Sequence, residues 1–438
     1  MTTASDTPAL NVALLGGGTV GSQVARILTE HSEALTQRIG TRLNLTKILV
    51  RNTQATRDYE LPNEYYTDSV DEVLEDADIV VELMGGIDPA YELIMRAIDQ
   101  GASVVTGNKA LLANRGNELY EAAAEAGVQL SFEASVGGAI PILRPLRDSL
   151  SGDKVTRIMG IVNGTTNYIL DQMDSTGASF NDALAEAQRL GYAEADPSAD
   201  VDGEDAAAKA AILAHLAFHA PFTLDEVYTQ GISDISDLDH QAAADAGYVI
   251  KLLAIVEELD EPAGVVLRVH PTLLPREHPL AAVRGAYNAV FVEAENAGEL
   301  MFYGPGAGGA ATASAVMGDV TSIAKRKLRG GPGRTHTARR ELSSLDIGEA
   351  TTRYMVVVRA DDAPGVLAKV AGTFAEHQVS IKSMNQTPDA GSTEDHKTAL
   401  LSFVTHRAKE AQLSKTLEAT KELDVVQAVL SVMRVEGK

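Results

Sequence analysis

Short apolar runs alternate with stretches of helical period over the first third of the chain. Residues 10–16, LNVALLG, are apolar and close on glycine, the pattern of a short strand buried on both faces. From Val20 to Leu35 the apolar positions recur at helical spacing. Further apolar runs fall at 45–50, 79–84, 102–106 and 128–133, and helical stretches at 89–100 and 114–126, the second closed by Gly127 as a C-cap. This alternation predicts a doubly wound parallel sheet, whose ligands lie beyond the carboxyl ends of its strands.

The pattern changes near residue 142. A strand-like run at 155–164, Ala-rich helices at 181–190 and 203–218, and strands at 264–270 and 286–293 predict a separate α+β domain. A second Gly-rich stretch, Tyr303 to Gly309, opens a helix to about residue 327 that is expected to return to the first domain. Residues 329–340, RGGPGRTHTARR, have linker composition. Beyond them, strand 354–359, helix 366–377, strands 379–384 and 398–404, helix 408–422 and strand 425–433 follow the order of a ferredoxin-like sandwich. The expected fold is therefore α/β in three parts. A Rossmann domain spans 1–145 and is completed by 303–328, an α+β domain spans 146–302, and a linker at 329–350 leads to a ferredoxin-like domain at 351–438.

Composition narrows the chemistry. The 438 residues suit about three domains of roughly 150 each. A net charge of −24 disfavours nucleic acid and anionic membrane surfaces, which need basic footprints. The chain has no cysteine, which excludes disulfides, thiolate metal sites and an acyl-enzyme route through a thiol. No apolar stretch approaches the ~20 residues of a membrane span, and the N-terminal MTTASDTPAL lacks a signal-peptide pattern, so a cytoplasmic enzyme is expected.

Gly16-x-Gly18-x-x-Gly21, with Thr19 and Val20 between, sits between a predicted strand and a predicted helix, the setting of a dinucleotide turn. Arg51 stands at the end of the second strand, with Arg57 nearby, where NAD-preferring sites carry an acid. A guanidinium there suits a 2′-phosphate and favours NADP over NAD, unless it is a plain surface arginine. Asp205 and Lys209 are four apart and share a helix face. The pair reads either as a surface ion pair or as an acid–base group, and Glu194, Asp196, Asp200, Asp202 and Glu204 crowd around it. That acidic stretch is itself open to reading as a solvated loop or a divalent-cation site. Lys109 follows a parallel strand, placed for function or simply covering the sheet edge, and Glu133 before a Gly-rich turn could bind a hard cation or cap a helix. The ten histidines show no metal spacing.

With these motifs assembled, the chain resembles the homoserine dehydrogenases over nearly its whole length. The resemblance rests on Gly107-Asn-Lys109, Glu133 through Pro141, Gly164-Thr-Thr-Asn167, Gly191 through Pro197, and Asp200 through Lys209. The C-terminal unit, with its Asp362-Ala-Pro-Gly365 loop, is similar to an ACT domain. The resemblance implies hydride transfer between L-homoserine and L-aspartate 4-semialdehyde, in threonine, methionine and isoleucine synthesis, with 146–302 as catalytic and dimerisation domain in a homodimer or homotetramer. It implies Lys209 as proton donor, Asp205 as its orienting partner and Lys109 as a second essential lysine. Glu194 would grip the substrate ammonium, with Asp200 in the same wall and Thr165, Gly164 and Tyr192 completing the pocket. Glu133 with the carbonyls of Val136, Gly138 and Ile140 would hold a monovalent cation, usually sodium, and Gly306 would mark the segment returning to the cofactor. The ACT domain would bind an amino acid, with threonine the expected end-product inhibitor, and deleting residues 341–438 should leave activity but abolish that inhibition. A reductase of the dihydrodipicolinate type should lack the Asp205/Lys209 pair. A ligand sensor should lose the lysines, and ~350 residues before the ACT unit leave no room for a fused kinase.

Overall fold

The first apolar run forms the strand Leu10–Leu15 (β1) at the centre of a parallel sheet. The computed structural model describes residues 9–330, 340–389, 391–393 and 397–437. Most of the expected linker, residues 331–339, lies outside the described residues. The chain divides into two units, Met1–Thr156 with Ala211–Asp225 and Asn288–Glu341, and Arg157–Ala210 with Glu226–Tyr287 and Leu342–Lys438.

In the first unit β1 is joined by Leu43–Leu49 (β2), Tyr66–Thr67 (β3), Ile79–Glu82 (β4), Ser103–Thr106 (β5) and Leu130–Ser131 (β6), in the order β3-β2-β1-β4-β5-β6. Neighbours pair in parallel, which is the Rossmann order. Val12 to Leu15 and Ile79 to Val81 are fully buried, as expected of strands covered on both faces. Val316, Val320 and Ile323 of the helix Gly309–Leu328 share one apolar cluster with Val12, Leu14, Val24 and Leu28. Each such side chain contributes roughly 1.5–3 kcal/mol on burial. The helix expected from residue 114 begins earlier, at Lys109, because the Asn108 side chain accepts the Leu111 amide and caps it. Non-helical angles at Arg115 kink it, which is why the periodicity is clear only beyond that point.

The second unit holds Val155–Ile161 (β7), Tyr248–Asp260 (β8), Ala263–Pro275 (β9), Thr351–Asp361 (β10), Ile381–Pro388 (β11), Thr398–Thr405 (β12) and Val426–Val435 (β13). Their order is β7-β8-β9-β13-β10-β12-β11. β8 and β9 pair antiparallel along their full length. The sequence reading passed over β8: YVIKLLAIVEELD is apolar without alternation, so period does not separate strand from helix. β10 to β13, with helices Val366–Glu376 and Glu410–Lys421, build a ferredoxin-like fold around Val356, Val358, Val370, Phe374 and Phe403.

The C-terminal strands share the second unit with β7 to β9, and within it the two parts join at β13. This last strand runs antiparallel to β10 and also pairs in parallel with β9 at Thr272–Arg434 and Leu273–Val435. Just beyond it, Glu436 is buried. It accepts Arg157 at 2.5 Å, Arg268 at 3.2 Å and the Thr352 hydroxyl at 3.2 Å, and its amide donates to the Leu273 carbonyl. Burial alone would raise its pKa, but the Arg157 and Arg268 guanidinium groups hold it well below the usual carboxylate range. The segment 343–345 also lies along β9, exchanging backbone hydrogen bonds with Val265.

Candidate active site

In the first unit the Gly-rich turn leads into the helix Thr19–Glu30, whose N-cap, Gly18, has no side-chain cap. Gly16 adopts φ +109, and a Cβ there would meet the Leu83 carbonyl at 2.8 Å. A Cβ on Gly21 would lie 2.2 Å from the Gly16 carbonyl oxygen, and Gly18 faces open space. The turn therefore presents helix-terminal amides to a crevice a side chain would fill, a cradle that fits a pyrophosphate. Arg51 is exposed, just past β2. Arg57 is closer to the turn: a Cβ on Gly17 would come within 3.3 Å of its Nε, and its guanidinium lies 4.2 Å over the Tyr66 ring while bonding the Asn52 and Ala55 carbonyls.

Lys109, half-buried, opens its helix directly after β5. Glu133 is buried, and its carboxylate is already engaged by the amides of Leu143 and Arg144 and the Arg144 side chain. The carboxylate thus pins the backbone at Leu143 and Arg144. What remains for a cation are the carbonyls of Val136, Gly138 and Ile140, none of which accepts any of the described hydrogen bonds. Gly138 backs onto Gly306: a Cβ on it would sit 2.3 Å from the Gly306 carbonyl oxygen, and Ala139 donates to Pro305. A Cβ on Gly309 would press on Thr19, so the Gly306 segment does return to the first helix.

Asp319 accepts the Glu133 amide beside this loop. Burial pushes its carboxyl up to about 6, against the pull of that amide and of Arg144. An acid whose folded value is raised binds protons preferentially when folded, so its contribution to stability is present below about 4 and lost as pH rises to about 6. Asp319→Asn removes that titration. Urea unfolding of the two proteins should show the variant gaining up to about 3 kcal/mol relative to wild type between pH 4 and 7; a difference that does not change with pH would contradict this account.

In the second unit, Asp205 and Lys209 lie one turn apart near the start of the helix Glu204–Phe218, and both are buried. Lys209 Nζ donates to Asp205 Oδ2 and to the Val162 carbonyl, each at 2.6 Å. Asn163 Nδ2 donates to Asp205 at 2.8 Å and Asp200 at 2.7 Å, while its Oδ1 caps the helix Gly164–Thr176 through the Thr166 amide. The surface ion-pair reading fails on burial. Thr165 donates to the Tyr192 carbonyl at 2.6 Å. Gly164 tolerates no side chain, since a Cβ would meet the Ala286 carbonyl oxygen at 2.7 Å. Asp205, Lys209, Asp200, Gly164, Thr165 and Tyr192 are thus brought together, whereas the Glu194 side chain is exposed. Among the described residues no group of three His, Cys, Asp or Glu is placed to hold a metal ion.

Two groups in or beside the Gly164–Asn167 motif had no role assigned from sequence. Asn163 directly precedes the Gly164-Thr-Thr-Asn167 stretch, at the N-cap position, and its place ahead of a helix was the available signal. Asn167 donates to the carbonyls of Val283, Gly285 and Tyr287 and accepts from buried Lys251, contacts that depend on a loop over a hundred residues away.

A Rossmann sheet with a dinucleotide turn, and a buried lysine–carboxylate pair in the second unit, define a dinucleotide-dependent oxidoreductase. Residues 16–133 match the family model for the homoserine dehydrogenase NAD-binding domain, 141–321 that for homoserine dehydrogenase, and 354–425 that for the ACT domain. The homoserine dehydrogenase of Corynebacterium glutamicum is 51% identical, over 98% of this chain and 96% of its own. That of Bacillus subtilis is 40% identical over 98% and 99%. A homoserine dehydrogenase crystal structure from Thiobacillus denitrificans superposes with a TM-score of 0.89 at 36% identity, covering 98% of both chains. The chain belongs to the homoserine dehydrogenase family. A hyperthermophilic archaeal member, TM-score 0.62 and 32% identical over 75% of this chain and all of its own, was solved in complex with NADPH.

Proposed function

We propose that the chain catalyses NADP-linked, reversible oxidation of L-homoserine to L-aspartate 4-semialdehyde, a step toward threonine, methionine and isoleucine. The observation that carries this is the buried Lys209 ammonium, fixed between Asp205 and the Val162 carbonyl. An alkoxide developing as a carbonyl accepts hydride needs a cation or proton donor at its oxygen, and one held by two acceptors is already oriented. In reduction Lys209 gives its proton to that oxygen, and in oxidation it takes the hydroxyl proton, with Asp205 holding the nitrogen in both directions. Asp200 and Glu194 supply negative charge for the substrate ammonium, and Gly164, Thr165 and Tyr192 shape the pocket around it. Lys109 supplies a second positive charge for the reaction. When bound, the dinucleotide would supply the hydride acceptor as NADP and the donor as NADPH. The turn Gly16 to Gly21 would hold its pyrophosphate with Gly306 beside it, and Arg51 and Arg57 would take a 2′-phosphate.

In this reading residues 1–145 with 303–328 bind the dinucleotide, 146–302 carry the chemistry and the subunit interface of a homodimer or homotetramer, and the ACT domain from 351 receives threonine. Glu133, with the carbonyls of Val136, Gly138 and Ile140, would hold a monovalent cation such as sodium. A cytoplasmic location belongs to the same reading; no described helix is long and apolar enough to cross a membrane.

An assay at 340 nm with homoserine and each nicotinamide tests the activity, and no turnover with either would end the proposal. Charge-assisted contacts of the guanidinium type are worth about 1.5–3 kcal/mol. Arg51→Ala with Arg57→Ala should therefore raise KM for NADP at least tenfold and leave KM for NAD nearly unchanged; an equal change in both would remove the 2′-phosphate assignment.

A further inference from the structure

Glu82, the last residue of β4, is fully buried, and none of the described ion pairs involves it. Carboxylates in such places are costly unless several donors surround them. Three do. Thr106, its register partner on β5, donates its hydroxyl at 2.6 Å, and the amides of Met84 and Gly85 donate at 2.7 and 3.3 Å. The same Thr106 oxygen accepts the Asn108 amide at 3.0 Å. Asn108 reaches back across to the Gly86 carbonyl at 2.6 Å and caps the next helix with its Oδ1. The contacts form a closed circuit, from Glu82 to the turn Met84–Gly86, across to Asn108, and through Thr106 back to Glu82. Gly85 and Gly86 both take φ +75, so that turn holds a left-handed path that the carboxylate fixes from below. Lys109 follows Asn108 directly and is the first residue of its helix.

We propose that Glu82 is a positioning residue for the reaction: its carboxylate bolts the two strand-end turns together and so sets where the Lys109 ammonium stands. This rests on the reading of Lys109 as a reacting-site lysine. A shift of about 1 Å in such a group can cost about a hundredfold in rate. A glutamine replaces the acid only by rewiring the circuit: with its oxygen on the two amides, its NH2 meets the Thr106 hydroxyl, which must turn from donor to acceptor while it already accepts the Asn108 amide.

The test is kcat for homoserine oxidation in Glu82→Gln, Thr106→Val and Thr106→Ser, and in Glu82→Gln combined with Lys109→Met. Expected are at least a tenfold loss in Glu82→Gln and in Thr106→Val, recovery to within about threefold in Thr106→Ser, and a change below about twofold when Glu82→Gln is added to Lys109→Met. Equal losses from Glu82→Gln in both backgrounds, or full kcat in both Glu82→Gln and Thr106→Val, would overturn the proposal and leave the role of Lys109 standing. Full kcat in Lys109→Met alone would sink that role, and the proposal with it. Should Glu82→Gln not fold, Thr106→Val against Thr106→Ser, each with and without Lys109→Met, decides the question by the same non-additivity.

Discussion

Lys209→Ala is expected to lower kcat for homoserine oxidation by about a thousandfold, within the range general acid–base groups contribute. Removing the ammonium takes away the proton acceptor for the reacting hydroxyl and leaves Asp205 buried, still bonded by Asn163 but without its cation. Dinucleotide binding should be nearly unaffected, since the Gly-rich turn lies in the other unit. Lys209→Arg should not rescue: a planar guanidinium does not reproduce a compact ammonium held between Asp205 and Val162. The comparison is steady-state kcat together with NADPH affinity by fluorescence titration. A variant with kcat within tenfold of wild type would remove Lys209 from the chemistry.

The second large effect lies at the other end of the chain. Glu436→Ala should destabilise the second unit by about 3–5 kcal/mol, the usual cost of stranding a buried charge by removing its partner. Two guanidinium groups, Arg157 and Arg268, lose the carboxylate they share, although Arg268 keeps Glu257 at 2.9 Å. For a unit of this size that is roughly a 10 °C fall in melting temperature. Because the folded-state pKa is depressed, the contribution is present above the ordinary glutamate value and lost only as pH falls toward the lowered one. The same geometry bears on the truncation that the sequence expects to stay active. Cutting away 341–438 strips Glu436 from two buried arginines, β13 from β9 and 343–345 from Val265. The truncated chain should be insoluble or inactive. A soluble, fully active truncation, or a melting temperature in Glu436→Ala within 2 °C of wild type, would refute this.

What the sequence made legible follows from range. The Rossmann strands are short, apolar and ended by glycine, so periodicity and turn chemistry locate them, and the order strand–helix–strand leaves few topologies. The Asp205–Lys209 pair was visible because helix geometry puts i and i+4 together. The buried partners were not. Glu82 looks like the polar end of a strand, and only the register with Thr106 reveals the circuit. Glu133 was open to a cation or a cap, and its ion pair with Arg144, eleven residues on, has no mark in the local pattern. Glu436 looks like a tail charge in a polar C-terminus, yet its partners lie 168 and 279 positions away. Local pattern reports local structure, and the charges that tie distant strands together leave none.

The helix Gly309–Leu328 closes the dinucleotide unit with side chains made long after its sheet. About 150 residues separate the end of the unit's first stretch, Thr156, from this helix. At roughly 5–20 residues per second, a ribosome needs on the order of ten to thirty seconds to cover that span. For that interval the helix Thr19–Glu30 lacks the late partner that completes the apolar cluster around Val24 and Leu28. Nascent chains of this enzyme should therefore be customers of holdase chaperones while translation is still in progress.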